Sequence, residues 1–77
     1  MNPYHELANA IIIQAVKDYR KALGTLKYYP WDETAKATRD ECERFFRSGW
    51  FGILTDLDGE VLIEKIRKEV KRTEVAV

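Results

Sequence analysis

The stretch Pro3-Tyr4-His5-Glu6-Leu7-Ala8-Asn9-Ala10-Ile11-Ile12-Ile13-Gln14-Ala15-Val16-Lys17-Asp18-Tyr19-Arg20-Lys21-Ala22-Leu23 decides the fold class. At about 100° per residue, Tyr4, Leu7, Ala8, Ile11, Ile12, Ala15, Val16, Tyr19, Ala22 and Leu23 fill one half of a helix. Asn2 suits the cap, Pro3 the first helical position, and Gly24 the residue just past the end. The spacing therefore predicts a long helix over Pro3–Leu23. Its apolar half is wide for so small a domain. Ile13 falls outside it, among Glu6, Asn9, Lys17 and Arg20. There it is either a stray surface isoleucine or a second contact face for another subunit.

Beyond this helix, Gly24 to Asp32 reads as a linker and contains Tyr28, Tyr29 and Trp31. Such rings either cover the end of a helical core, which is the expectation, or line a ligand or peptide groove. Asp32 is placed to cap a second helix ending near Ser48-Gly49, with a narrow strip of Ala35, Thr38, Cys42, Phe45 and Phe46. The rest of that helix is charged, with i,i+4 pairs Asp40–Arg44, Arg39–Glu43 and Glu43–Arg47, and reads as a solvated face.

Trp50, Phe51, Ile53 and Leu54 have the spacing of a short third helix begun by Ser48. A turn over Thr55–Gly59 follows, in which Asp56 or Asp58 can cap a last helix over about Gly59–Arg72. Leu62, Ile63, Ile66 and Val70 form its apolar stripe, flanked by Glu64–Lys68 and Lys65–Glu69. No alternating strand pattern appears. The expected fold is an all-α bundle of three to four helices over residues 1–72, with a disordered tail at 73–77. Its core is expected to hold Phe45, Phe46, Trp50, Leu54, Leu62 and Ile66 against Ile11, Ile12, Val16 and Tyr19.

Composition narrows the function classes. The 77 residues carry 13 Lys+Arg against 13 Asp+Glu, so a bulk basic charge is absent. One cysteine excludes both a disulfide framework and a Cys-rich zinc site. The longest apolar stretch, Ala10 to Ile13, is far too short to span a bilayer, and no export signal is visible. A cytosolic protein without contact to a membrane is expected. A domain of this length buries only about 60% of its unfolded surface, so a homodimer is the expected unit of stability.

Chemistry-bearing patterns are sparse. Asp56-x-Asp58-Gly59 resembles part of a calcium loop, but the first and twelfth positions would be Leu54 and Lys65, so capping explains the aspartates and no metal is expected. Cys42 and His5 lack an orienting partner and oxyanion donors, and Cys42 sits in an apolar strip. The four glycines are scattered rather than gathered in a phosphate loop. No catalytic residue and no cofactor are assigned. Asp18, on the border of the apolar half, pairs with Gln14 or Lys21 in solvent, or else bonds an aromatic hydroxyl or a buried arginine of another helix. Lys65, Lys68 and Arg72 fall within about 60° on the last helix and are the candidate nucleic-acid contacts. The basic segment 17–27 would join them if the two helices pack side by side.

The run Glu43-Arg44-Phe45-Phe46-Arg47-Ser48-Gly49-Trp50-Phe51, continuing through Leu54-Thr55-Asp56-Leu57-Asp58-Gly59-Glu60, resembles small uncharacterised proteins encoded by phages, prophages and related mobile elements of Gram-positive bacteria. Ala15 to Leu23 and Leu62 to Ile66 share the likeness. The resemblance carries no catalytic or binding residues. It implies an accessory protein of a mobile element acting in the bacterial cytosol on a host or phage protein, with inhibition of a host defence system such as a CRISPR nuclease as one form. Ile13, Tyr28, Tyr29 and Trp31 are the candidate partner-binding residues. The alternatives are a nucleic-acid-binding factor using Lys65, Lys68 and Arg72, and a sponge for a small anionic signalling nucleotide at a subunit interface.

Overall fold

A computed structural model describes the backbone of residues 3–73 and the side chains of 6–72. Four helices follow one another: α1 (Pro3–Tyr28), α2 (Glu33–Phe46), α3 (Gly49–Leu54) and α4 (Gly59–Thr73). No strand occurs among the described residues, as the all-α reading expects. The expected cap Asn2, the side chains of Tyr4 and His5, and residues 74–77 of the expected tail lie outside the described residues. Thr73, expected in that tail, is instead the last residue of α4.

The first helix departs from expectation at its end. It runs through Gly24 to Tyr28 instead of stopping at Leu23, because Gly24 does not take the left-handed conformation of a helix stop. Leu26 is half-buried, and the Lys27 Nζ donates to the Val70 carbonyl at the end of α4. The extra turn thus supplies a donor to a carbonyl in the last turn of α4. At 26 residues α1 is about 39 Å long, which accounts for the 41 Å long axis of the molecule. α2 and α4 are barely half that length, so each covers only part of α1.

α2 begins as expected: Asp32 Oδ1 accepts from the Ala35 N–H at 2.9 Å. It ends at Phe46, where Ser48 serves both flanking helices. The Ser48 hydroxyl donates to the Phe45 carbonyl at 2.6 Å and accepts from the Phe51 N–H at 3.2 Å. That cap sets the register of α3, turning Phe51 inward and Trp50 outward. Phe51 is 2% exposed and Trp50 56%, so Phe51 holds the core position expected of Trp50. Asp58 caps α4 by accepting from Glu60 N at 2.9 Å, the role expected in place of metal binding.

The core gathers Ile12 and Tyr19 of α1, Cys42 and Phe46 of α2, Phe51 of α3, and Ile63 and Ile66 of α4. Phe46 packs edge-on against Tyr19 and Phe51 with ring centroids 5.6 Å apart. The N-terminus of α4 crosses the end of α2 so closely that a Cβ at Gly59 would lie 1.9 Å from the Phe46 carbonyl oxygen. Only glycine permits that approach.

Candidate functional site

The aromatic segment is a tight helical hairpin rather than a covering loop. The Tyr29 N–H donates to the Thr25 carbonyl at 2.8 Å, closing α1. The Asp32 N–H then donates to the Tyr29 carbonyl at 3.0 Å, and Pro30 takes the second position of this four-residue turn. Between Tyr28 and the Asp32 cap there are three residues, too few to fold rings back over the bundle. Tyr28, Tyr29 and Trp31 are accordingly 61%, 56% and 68% exposed. The expectation that they cover the core is therefore wrong. Tyr29 and Trp31 meet edge to face, with centroids 5.9 Å apart and planes at 84°.

Ile13 is also exposed, but it does not join this cluster. The unbroken helix puts it on the same outer face as Tyr28, fifteen residues and about 22 Å away. The candidate partner-binding residues therefore divide into a compact tip and a separate point on the shaft of α1.

Lys65, Lys68 and Arg72 project from the outer face of α4 and have no ion-pair partner among the described residues. α1 and α4 do pack side by side. The seam between them is neutralised, however, because the Arg20 Nη2 donates to Glu69 Oε2 at 2.7 Å and Lys27 is engaged with the end of α4. The hollow between them, lined by Arg20, Gly24, Lys27, Tyr28 and Val70, thus has both of its cations occupied. The single basic patch foreseen for segment 17–27 and α4 is interrupted there.

A polar cluster at the junction of α1, α2 and α4 escaped the sequence reading, which placed Glu43 on a solvated face. The Tyr19 hydroxyl donates to Glu43 Oε2 at 2.6 Å. Arg67 donates through Nε to the Tyr19 oxygen at 3.1 Å and through Nη2 to Glu43 Oε2 at 2.7 Å. Arg47 Nη1 lies 3.5 Å from Glu43 Oε1 and also pairs with Glu60. Arg39 pairs with Asp40 rather than with Glu43.

Burial alone would raise the Glu43 carboxyl pKa, but the hydrogen bonds from Tyr19 and Arg67 outweigh it, and it sits below its ordinary range. Burial, and then the bond to Glu43, push the Tyr19 phenol up to about 12, so it remains a donor at neutral pH. A wholly buried tyrosine needs such an acceptor, and this was the available signal in the sequence. Asp18, the residue for which a bond of this kind was weighed, instead accepts from Gln14 Nε2 at 2.9 Å in solvent.

Cys42 is buried, and its thiol is pushed up to about 11, by burial first and then by Asp18, Glu41 and Glu43. It has little thiolate character near neutrality. No group of three metal-ligating side chains occurs among the described residues, and no helix there is long and apolar enough to cross a membrane. No family model matches this chain, nor does any curated protein or solved structure.

Proposed function

We propose that the chain is a non-enzymatic accessory protein that acts by docking on a second protein through the aromatic tip between α1 and α2. The exposed Tyr29–Trp31 pair carries this reading. Tyrosine and tryptophan are the side chains most enriched at binding hot spots, because they supply large contact area with few rotatable bonds. Here they stand on a short hairpin whose backbone is tied by two turn hydrogen bonds and a helix cap, so little order need be gained on binding. The likeness to mobile-element proteins supports a partner in the bacterial host, and a defence component is the form of action we favour.

Pull-down from host lysate with the wild type and a Tyr28→Ala/Trp31→Ala variant tests the surface. Both proteins should remain folded by circular dichroism, and the variant should lose the partner retained by the wild type. Identical partner lists from two folded proteins would sink the proposal.

A second reading, nucleic-acid binding, has one observation in its favour: the exposed Lys65, Lys68 and Arg72, which have no ion-pair partner among the described residues. Against it, Asp56, Asp58 and Glu60 stand at the leading end of α4, where they would repel phosphate. Binding to duplex or single-stranded probes that falls steeply with salt would support it. No binding at low ionic strength would end it.

A further inference from the structure

The two flanks of the α1–α2 pair are chemically different. α4 occupies one flank, held by Arg20 of α1 to Glu69 and by Glu43 of α2 to Arg67. Asp18 and Glu41 are each two residues from those contacts, about 200° round their helices, and so belong to the other flank. Two hollows of about 340 and 460 Å³ lie there, and both are bordered by Asp18 and Glu41, so they form one groove along the seam. The first is floored by Ile11, Ala15, Cys42 and Phe45. The second adds Asp32 to the two carboxylates, with Lys21 as its one cation. The groove therefore runs from apolar to acidic in the direction of α1.

The outward ridge of α4 has the complementary order. Leu57, in the turn leading into α4, and Val61 are 57% and 46% exposed. Lys65, Lys68 and Arg72 follow, without partners among the described residues. From Ile11 to Thr25 the groove is about 21 Å long, and from Val61 to Arg72 the ridge is about 16 Å. The ridge is short enough to lie within the groove, and the two match in the order of apolar and charged parts and in opposite sign of charge.

We propose that the groove receives the α4 ridge of a second copy of this chain, with Leu57 and Val61 against Ile11 and Phe45, and Lys65 and Lys68 against Asp18 and Glu41. The acidic half of the groove repels nucleic acid and acidic proteins, whereas this ridge brings both the apolar head and the cations. Ridge and groove lie on opposite sides of the molecule, so the contact is heterologous: each docked copy offers a fresh groove, and the product is a ring or a filament rather than a closed pair. The proposal uses none of the residues of the aromatic tip and stands or falls apart from it.

Two variants separate the surfaces: Lys65→Glu/Lys68→Glu reverses the ridge, and Asp18→Lys/Glu41→Lys reverses the groove. All four positions are exposed, so both proteins should fold, which circular dichroism checks. By light scattering, the wild-type mass should climb past that of a dimer with concentration and drop at high salt. Each variant alone should associate at least about tenfold more weakly. An equal mixture should assemble again, since the unaltered ridge of one variant meets the unaltered groove of the other, and the reversed ridge meets the reversed groove with the charges exchanged. A wild type monomeric at all concentrations, or an assembly untouched by either variant, overturns the proposal. So does a mixture that stays monomeric, or a ridge that binds nucleic acid while the chain does not self-associate.

Discussion

Glu43 sits where α1, α2 and α4 meet, and its ionisation is coupled to folding. Its carboxyl pKa lies below the ordinary value in the folded chain. Its contribution to stability is therefore complete above the unfolded value of about 4.3 and is lost as pH falls through the depressed folded value. Glu43→Gln should cost about 1–3 kcal/mol at pH 7, nearer the lower figure because Arg67 is half-exposed. Urea melts at pH 7 and pH 3 check this: the gap between variant and wild type should narrow at the lower pH, and a constant gap would assign the loss to packing. The burial of Tyr19 was legible in the helical period. Its acceptor was not, because the sequence does not say which carboxylate of a neighbouring helix lies against the flank of α1 that carries Tyr19.

At the scale of elements, two glycines give opposite expectations. Gly24 lies inside α1, and a Cβ there meets nothing within 4 Å. Gly24→Ala should therefore stabilise by about 0.5–1 kcal/mol through helix propensity. Had Gly24 been the left-handed stop suggested by its position after Leu23, the same change would lower the melting temperature, so thermal unfolding distinguishes the two. Gly59→Ala should destabilise by about 1–3 kcal/mol, because its Cβ would drive α4 away from the Phe46 carbonyl. Denaturant titration reads that loss directly. The caps Asp32, Ser48 and Asp58 were legible because capping is local chemistry. The end of α1 was not, since the last turn is held by Lys27 reaching across to α4.

At the scale of the whole molecule, the core is small, and its loss should be all or none. Phe51→Ala removes a 2% exposed ring shared with Phe45 and Phe46 and should cost about 3–5 kcal/mol. Against a total of about 5–15 kcal/mol for a domain, that is a large share of the whole stability. Trp50→Ala should change stability by no more than about 0.5 kcal/mol, because the neighbouring ring is 56% exposed. Melting curves by circular dichroism on the two variants test the register of α3. Exchanged outcomes would restore Trp50 to the core. At the end of α1 that leads into the hairpin, Tyr28 is left exposed.

By itself the sequence determined the all-α class, the helical segments, the caps Asp32 and Ser48, and the inward stripe of α4 at Leu62, Ile63, Ile66 and Val70. These follow from hydrophobic periodicity and from hydrogen bonds within a few residues, which act before any helix meets another. Only the tertiary structure decided that α1 continues to Tyr28, that the aromatic tip faces solvent, and that Glu43 holds the Tyr19 hydroxyl while Asp18 pairs with Gln14. It also decided which charges on α4 have no ion-pair partner among the described residues. Each of these outcomes depends on where one helix lies against another, and that placement is settled by contacts between residues up to 49 positions apart, as Arg20 and Glu69 are.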